Sequence, residues 1–213
     1  MTNFSPFIGE PLVFKEGFYV YPPKVRDVVA NPKFNTYHSI LAISQDSIEE
    51  ELKKVGKTLE TYPTPFEFLL ANCYNSMEFR LLAMEAFEFF CKKHVIFDYE
   101  NKQILLSNLT EETEYPLVLT EQEYFNFQNT IRESMGDKPI DPPAPLDPDE
   151  DPRVRAIKEK AKKRDRIKAK QGSKHGISLN TCLTAICCMG IGITPLNIGE
   201  MSYAAVGELM KMM

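Results

Sequence analysis

The sequence predicts a mainly α-helical protein: a helical N-terminal domain with a small β-hairpin, then a linker rich in proline and acidic residues, then a helical C-terminal tail. Apolar residues recur at helical spacing over residues 77–93, the longest periodic run of the chain. Six of the fifteen prolines lie between positions 139 and 152, together with six acidic residues between positions 137 and 151. Such a stretch can hold neither a helix nor a sheet strand. The predicted boundaries are therefore 1–136, 137–152 and 153–213.

Local signals define the first elements of the N-terminal domain. The residues FYVY at 18–21 predict a short strand, which Pro22-Pro23 ends. Thr64-Pro65-Phe66-Glu67 predicts a helix start, because threonine caps, proline suits the first turn and the glutamate can bond back to the cap amide. The periodic run at 77–93 predicts a helix with one buried face. That face consists of Phe79, Leu82, Ala83, Ala86, Phe87 and Phe90.

A β-hairpin and a further helix complete this domain. Residues 94–98 (HVIFD) and 103–106 (QILL) flank Tyr99-Glu100-Asn101-Lys102, a four-residue turn, and predict two antiparallel strands. A second capping box, from Thr120 to Glu123, predicts a helix that begins at residue 121. The domain is therefore predicted to be α-rich with a small β element.

The tail combines a basic segment with two apolar ones. Residues 153–174 carry eleven Lys or Arg against two acids, a local charge of +9, so the rest of a chain of net charge −5 carries −14. A basic helix is predicted over 153–170, and a buried helix within the nearly uncharged residues 177–194. Ser202 is predicted to cap a last, amphipathic helix. The basic residues singled out as a binding segment are Arg153, Arg155, Lys158, Lys162, Arg164 and Arg166.

Several interpretations are open for the tail. The basic segment could contact phosphate backbones, dock on an acidic protein surface or remain a solvated helix. It lacks the interleaved aromatic residues of single-strand binders, and a pI near 5.4 argues against the whole protein being a nucleic-acid binder. The stretch 177–194 is at the short limit for a membrane span and is followed by Pro195, so helical packing is favoured over membrane insertion.

No pattern of residues indicates catalysis. Cys91-x-x-His94 has the spacing of two metal ligands, but a zinc site needs three or four, so packing of the thiol at a helix end is the simpler interpretation. No nucleophile with its base and no phosphate-binding loop is recognisable. Residues 1–10 lack the basic and apolar parts of a signal peptide, so reduced thiols in a cytosolic compartment are expected. We therefore predict no catalytic residue, metal or cofactor.

The tail sequence ISLNTCLTAICCMGIGITPLNIGEMSYAAVGELMKM, at 177–212, resembles the end of small proteins encoded in tail gene clusters of long-tailed phages and prophages of Gram-positive bacteria. In that group a basic helix, a short apolar helix and a Pro-Leu-Asn turn lead into a closing amphipathic helix. The segments FYVYPPKVRDVV at 18–29 and YPTPFEFLLAN at 62–72 are also similar to that group. The chain therefore resembles the tail assembly chaperone family over most of its length.

This resemblance implies a mainly helical, non-catalytic protein of the host cytoplasm. It would bind the long hydrophobic tape measure protein and keep it soluble while tail tube subunits are recruited. The tube protein is a second candidate partner, self-association is open, and neither nucleic acid nor membrane is an expected partner. Such chaperones often have a longer frameshifted form, and an end at Met212-Met213 is compatible either with the shorter product or with a truncated chain.

Client binding is predicted to use apolar side chains of the tail, because methionine adapts to irregular partners and five of the nine methionines lie in the last 25 residues. The alternative is that these side chains fill a small core. A different function is a structural component of a phage particle, or of a related contractile or secretion machine. A third is a peripheral membrane or nucleic-acid adaptor that acts through 153–174. The predicted partner-binding residues are Leu183, Ile186, Met189, Tyr203, Val206, Leu209 and Met210.

Overall fold

The computed structural model shows a mainly helical protein, with eight α-helices and two small antiparallel sheets among the residues it describes. The chain divides into two compact units: residues 1–140 together with 194–213, here called the main unit, and residues 141–193. This grouping differs from the predicted division, in which 153–213 forms one tail. The described residues are 8–54, 56, 63–108, 117–140, 179–188, 192–194 and 197–211.

The main unit contains most of the described elements. Its helices are α1 (Val25–Ala30), α2 (Phe34–Leu41), α3 (Gln45–Lys54), α4 (Pro65–Asn75), α5 (Met77–Cys91) and α6 (Glu121–Ser134). Its strands are β1 (Leu12–Lys15), β2 (Phe18–Val20), β3 (Lys93–Asp98), β4 (Gln103–Asn108) and β5 (Leu117–Leu119). Helix α7 (Leu179–Cys188) belongs to the other unit. The main unit then ends with a short 3₁₀ helix (Ile198–Glu200) and α8 (Tyr203–Lys211).

Two separate sheets form in the main unit. β1 and β2 pair as one antiparallel hairpin. The predicted hairpin is confirmed, since β3 and β4 pair antiparallel along their whole length. β5 adds a third strand to β4, which the sequence did not predict. Side chains alternate along β3, where Val95 and Phe97 are buried and Ile96 between them is 63% exposed, so one face of this sheet joins the core.

The predicted helix starts are confirmed at α4 and α6. At α4, Thr64 Oγ1 accepts the Glu67 amide and the Glu67 carboxylate accepts the Thr64 amide, each at 3.2 Å. At α6, the Glu123 carboxylate accepts the Thr120 amide at 3.0 Å. These bonds satisfy amides that have no partner inside a helix. Helix α5 ends where Lys92 adopts a left-handed conformation with φ of 54°.

The core of the main unit is strongly aromatic. Phe127 of α6 stacks on Phe87 of α5 with ring centroids 5.4 Å apart, and on Phe18 of β2 at 5.6 Å. All three rings are fully buried. Phe90, one turn beyond Phe87, is also buried, so α5 turns its predicted apolar face inward. The core thus connects the first hairpin to α5 and α6.

Helix α7 lies within the apolar stretch for which the sequence predicts a helix. Its Cys182 and Ile186, which are one turn apart, are both buried. No helix in the described part of the chain has both the length and the apolar composition of a membrane span. The predicted linker beyond residue 140 and the predicted basic helix lie outside the described residues.

Candidate interaction surface

The residues predicted to bind a partner fall in two different units. Leu183 and Ile186 lie on α7, half-buried and buried respectively. Met189 and the six residues of the basic segment lie outside the described residues. The remaining four lie on α8 of the main unit, where Val206 is 1% exposed and the others are half-buried: Tyr203, Leu209 and Met210. Ile186 and Val206 are buried, and the partner-binding role of all seven residues stays a prediction.

The C-terminal segment, residues 197–211, docks on an extended edge of the main unit. Pro22-Pro23 fixes two backbone dihedrals and keeps the preceding residues extended. Lys24 follows in an extended conformation, with φ of −82° and ψ of 153°, before α1 begins. Lys24 and Ser202 pair in an isolated antiparallel β-bridge. The two prolines thus keep the chain that leads into Lys24 extended, in line with the bridge.

Two backbone hydrogen bonds flank the bridge. The Val25 amide donates to the Met201 carbonyl at 2.9 Å, and the Tyr203 amide donates to the Pro23 carbonyl at 2.8 Å. The bridged residues themselves exchange no hydrogen bond, so they form the closer type of antiparallel pair. The edge therefore recognises the backbone of the C-terminal segment directly.

Charged side chains reinforce this register. Lys24 Nζ lies 2.9 Å from Glu200 Oε2, and Arg26 Nη1 forms a second ion pair with Glu200 Oε1. The hydrogen bond from Lys24, with the positive charge of Arg26, holds the pKa of the Glu200 carboxyl below its ordinary value. All three side chains are 42–58% exposed, so solvent screens the pairs. We infer that they select the register more than they add stability.

Apolar contacts complete the docking of α8. The Tyr203 ring lies 5.7 Å from the Phe34 ring of α2, measured between centroids. Ala204 is 1% exposed and lies against Gly136, just after α6. A Cβ atom at Gly136 would come within 3.2 Å of the Ala204 Cβ, and φ there is +75°, so glycine permits the close approach. Val206 is buried on the same helix.

An ionic group lies at the far end of α8. His38 Nε2 is 3.3 Å from Asp137 Oδ2. The nearby His38 side chain lowers the pKa of the Asp137 carboxyl; partial burial opposes this, and the charges of Arg132 and Lys211 add to it. Since Lys211 is the last residue of α8, the helix lies between two groups of charges.

We expect Asp137→Asn to reduce stability near neutral pH but not in acid. The folded pKa of Asp137 lies below the unfolded value of about 3.9, so its contribution is complete above that pH and is lost as pH falls through the folded pKa. Because the side chain is 44% exposed, the loss is less than about 1 kcal/mol. Urea unfolding of both proteins at neutral pH and at pH ~2 measures the difference in the free energy of unfolding. An equal difference at both pH values would contradict this expectation.

A second surface, the helix-corner patch, consists of Tyr74, Met77 and Leu81 where α4 meets α5. These side chains are 66%, 62% and 46% exposed. Met77 and Leu81 are one turn apart and share a face of α5. The Tyr74 ring packs edge-on against Tyr99 at 5.2 Å, and the Arg80 guanidinium lies 5.6 Å from the centre of the Tyr99 ring. Tyrosine and methionine are enriched at protein interfaces, so two of the three patch residues are typical of a binding surface.

A groove of about 590 Å³ opens next to the docking edge. Its apolar lining includes Tyr21, Phe89 and three prolines, and its polar lining includes Lys24 and Lys92. Lys24 therefore belongs both to the groove and to the ion pairs of the C-terminal segment. The two features are structural neighbours on one side of the main unit.

The thiols of the main unit have the properties of packed side chains. Burial raises the pKa of the Cys73 thiol to about 12 and that of Cys91 well above its ordinary value. Such thiols stay protonated at neutral pH and are poor nucleophiles. Cys91 is buried while His94 is exposed on β3. Within the described parts of the chain, no three His, Cys, Asp or Glu residues come together as a metal site.

Comparison with models of known protein families, with curated proteins and with solved structures gives no match. The site is therefore defined by its own geometry. Sequence reasoning missed the ion pairs of Glu200 with Lys24 and Arg26, because 176 and 174 positions separate these partners. It also missed the helix-corner patch, although Tyr74 and Met77 flank a break between two helices where apolar residues are easily exposed.

Proposed function

We propose that the protein is a tail assembly chaperone of a long-tailed phage or prophage. It acts in the host cytoplasm, without catalysis, by binding the tape measure protein and keeping it soluble while tail tube subunits are recruited. The sequence resemblance of residues 177–212 motivates this proposal. The structural observation that supports it most directly is the helix-corner patch.

The patch suits a holding function because its side chains are adaptable and its framework is packed. Met77 offers a flexible thioether, and Tyr74 offers a large amphipathic ring. The helices beneath are anchored in the aromatic core through Phe66 of α4 and Phe87 of α5, which are buried. A rigid corner with adaptable apolar side chains can accept different turns of a long helical client.

The proposal predicts that serine substitutions in the patch reduce client solubility. In the variant Tyr74→Ser, Met77→Ser, Leu81→Ser, we expect affinity for co-expressed tape measure protein to fall by about tenfold or more, because central apolar contacts dominate binding. Soluble client is measured by sedimentation and by co-purification. The matched control replaces three other exposed apolar residues of 67%, 56% and 63% exposure by serine: Val13, Val29 and Ile96.

Equal loss in the patch variant and the control would reject the patch as the client surface. A client that stays soluble when expressed alone would reject the chaperone function itself. Mass spectrometry of purified particles separates the chaperone from the alternative of a structural component, since a chaperone is absent from finished particles. Deleting residues 177–213 would not be a clean test, because it removes α8 and uncovers the core around Phe34.

A further inference from the structure

The C-terminal segment shows which chemical groups the surface beneath it can bind. Its occupant presents a carboxylate at Glu200, a capping hydroxyl at Ser202 and then a nine-residue amphipathic helix. Ser202 Oγ accepts the Ala205 amide at 3.2 Å, which starts that helix. The surface contributes two cations, one edge of extended backbone and a glycine that permits the helix to approach closely. It therefore fits a short helix preceded by an acidic residue.

The occupant is held by contacts that can be exchanged. The five cysteines are free, so no disulfide fixes the segment. Glu200 is 54% exposed, and the docking edge contributes one amide, at Val25, and one carbonyl, at Pro23. Backbone groups of this kind bond any chain that arrives in the same extended form. If α8 leaves, the Phe34 ring loses its Tyr203 neighbour, so a replacement helix is favoured.

We propose that the surface formed by Pro23–Arg26, Phe34 and Gly136 is a binding site for amphipathic helices, whose resident occupant is the chain's own C-terminal segment, and that a helical client displaces this segment. The proposal rests on the proposed function, which supplies the client. It assigns α8 the role of a competitor rather than that of the client-binding element. The main unit then binds a client helix where its own helix now lies, in addition to the client contacts at the helix-corner patch.

A reversible covalent lock tests the displacement. Lys24 and Ser202 are a directly opposed, non-hydrogen-bonded antiparallel pair, for which Cα atoms lie about 4.5 Å apart, within the range that disulfides span. The double variant Lys24→Cys, Ser202→Cys is measured in its oxidised form and again after reduction. Ser202→Cys alone, oxidised in the same way, controls for reaction at the exposed Cys188.

Two probes are titrated into both redox forms: a fluorescein-labelled peptide with the sequence of residues 197–211, and the tape measure protein. We expect each to bind the oxidised form at least about tenfold more weakly than the reduced form, because the lock removes the open state. Reduction should restore binding. Equal client binding by both forms would overturn displacement and leave the chaperone function standing.

The remaining outcomes are also decisive. A peptide that binds neither form would show that the resident segment is not exchangeable, which overturns the proposal. A client that binds neither form, while the peptide binds the reduced form, would reject the proposed function and leave the helix-binding surface supported. Glu200→Lys, which reverses the occupant's charge, should strengthen peptide binding. The triple variant Lys24→Glu, Arg26→Glu, Glu200→Lys should bind this peptide more weakly than the wild-type protein does, because the resident ion pairs are restored with opposite polarity while the peptide keeps the natural Glu200 charge.

Discussion

Replacing Phe127 by alanine lowers the expected free energy of unfolding by about 3–5 kcal/mol. The ring lies between those of Phe87 and Phe18, with centroid distances of 5.4 and 5.6 Å, and is fully buried. Alanine would leave a cavity where α5, α6 and the first hairpin meet. Since natural domains have stabilities of about 5–15 kcal/mol, such a loss removes a large part of the free energy that keeps the protein folded.

Urea denaturation followed by tyrosine fluorescence and far-ultraviolet circular dichroism measures this effect. The control is Tyr74→Ala, which removes a ring that is 66% exposed and should cost less than about 1 kcal/mol. If both substitutions lower the free energy of unfolding by the same amount, the aromatic cluster is not the centre of the core. A change in the slope of the denaturant dependence would instead indicate a less compact native state.

The second large effect is expected from Val206→Asp, which places an unpaired carboxylate at a position that is 1% exposed. Burial of such a charge costs several kcal/mol, so α8 should detach rather than keep it buried. Hydrogen exchange of the Val25 and Tyr203 amides, now bonded at 2.9 and 2.8 Å, should accelerate by about 100-fold or more. The release is expected to be local.

Two controls test whether the release of α8 is local. Gly207→Asp adds the same charge to the same helix, where an added Cβ meets no atom within 4 Å, and should leave exchange unchanged. The Tyr21 amide, bonded to the Phe90 carbonyl at 2.8 Å in the core, should keep its protection in both variants. Loss of protection at Tyr21 would show global unfolding instead. If a client displaces α8, Val206→Asp should strengthen client binding. A client that used α8 itself would bind this variant more weakly.

Helix starts and the second hairpin were predictable because their determinants are local. The capping box at Thr64 and Glu67 spans four residues, and the four-residue turn at 99–102 joins strands that are neighbours in sequence. β5 was not predictable. It has only three residues, and its strand conformation depends on pairing with β4 rather than on any pattern of its own.

The docking of the C-terminal segment could not be predicted from the sequence either, for a different reason. Ser202 and the helix after it could be predicted, because a cap and an apolar period are visible in the sequence. Their partner could not, because exposed lysines and arginines occur throughout the chain and any of them could pair with Glu200. The Pro/Asp-rich stretch indicates that the chain leaves the main unit near residue 140. Nothing in it indicates that residues 194–211 return.

Because residues 194–211 return to the main unit, the two parts of this unit are synthesised at different times. The main unit contains residues from both sides of 141–193, so the ribosome completes its first part before its last. At typical elongation rates, the intervening residues take about 3–10 s to synthesise. Through that interval the edge at Pro23–Arg26 exists without its own helix. A nascent chain is therefore open to a helical partner before it can close on itself, and early encounter with a partner would be favoured by timing alone.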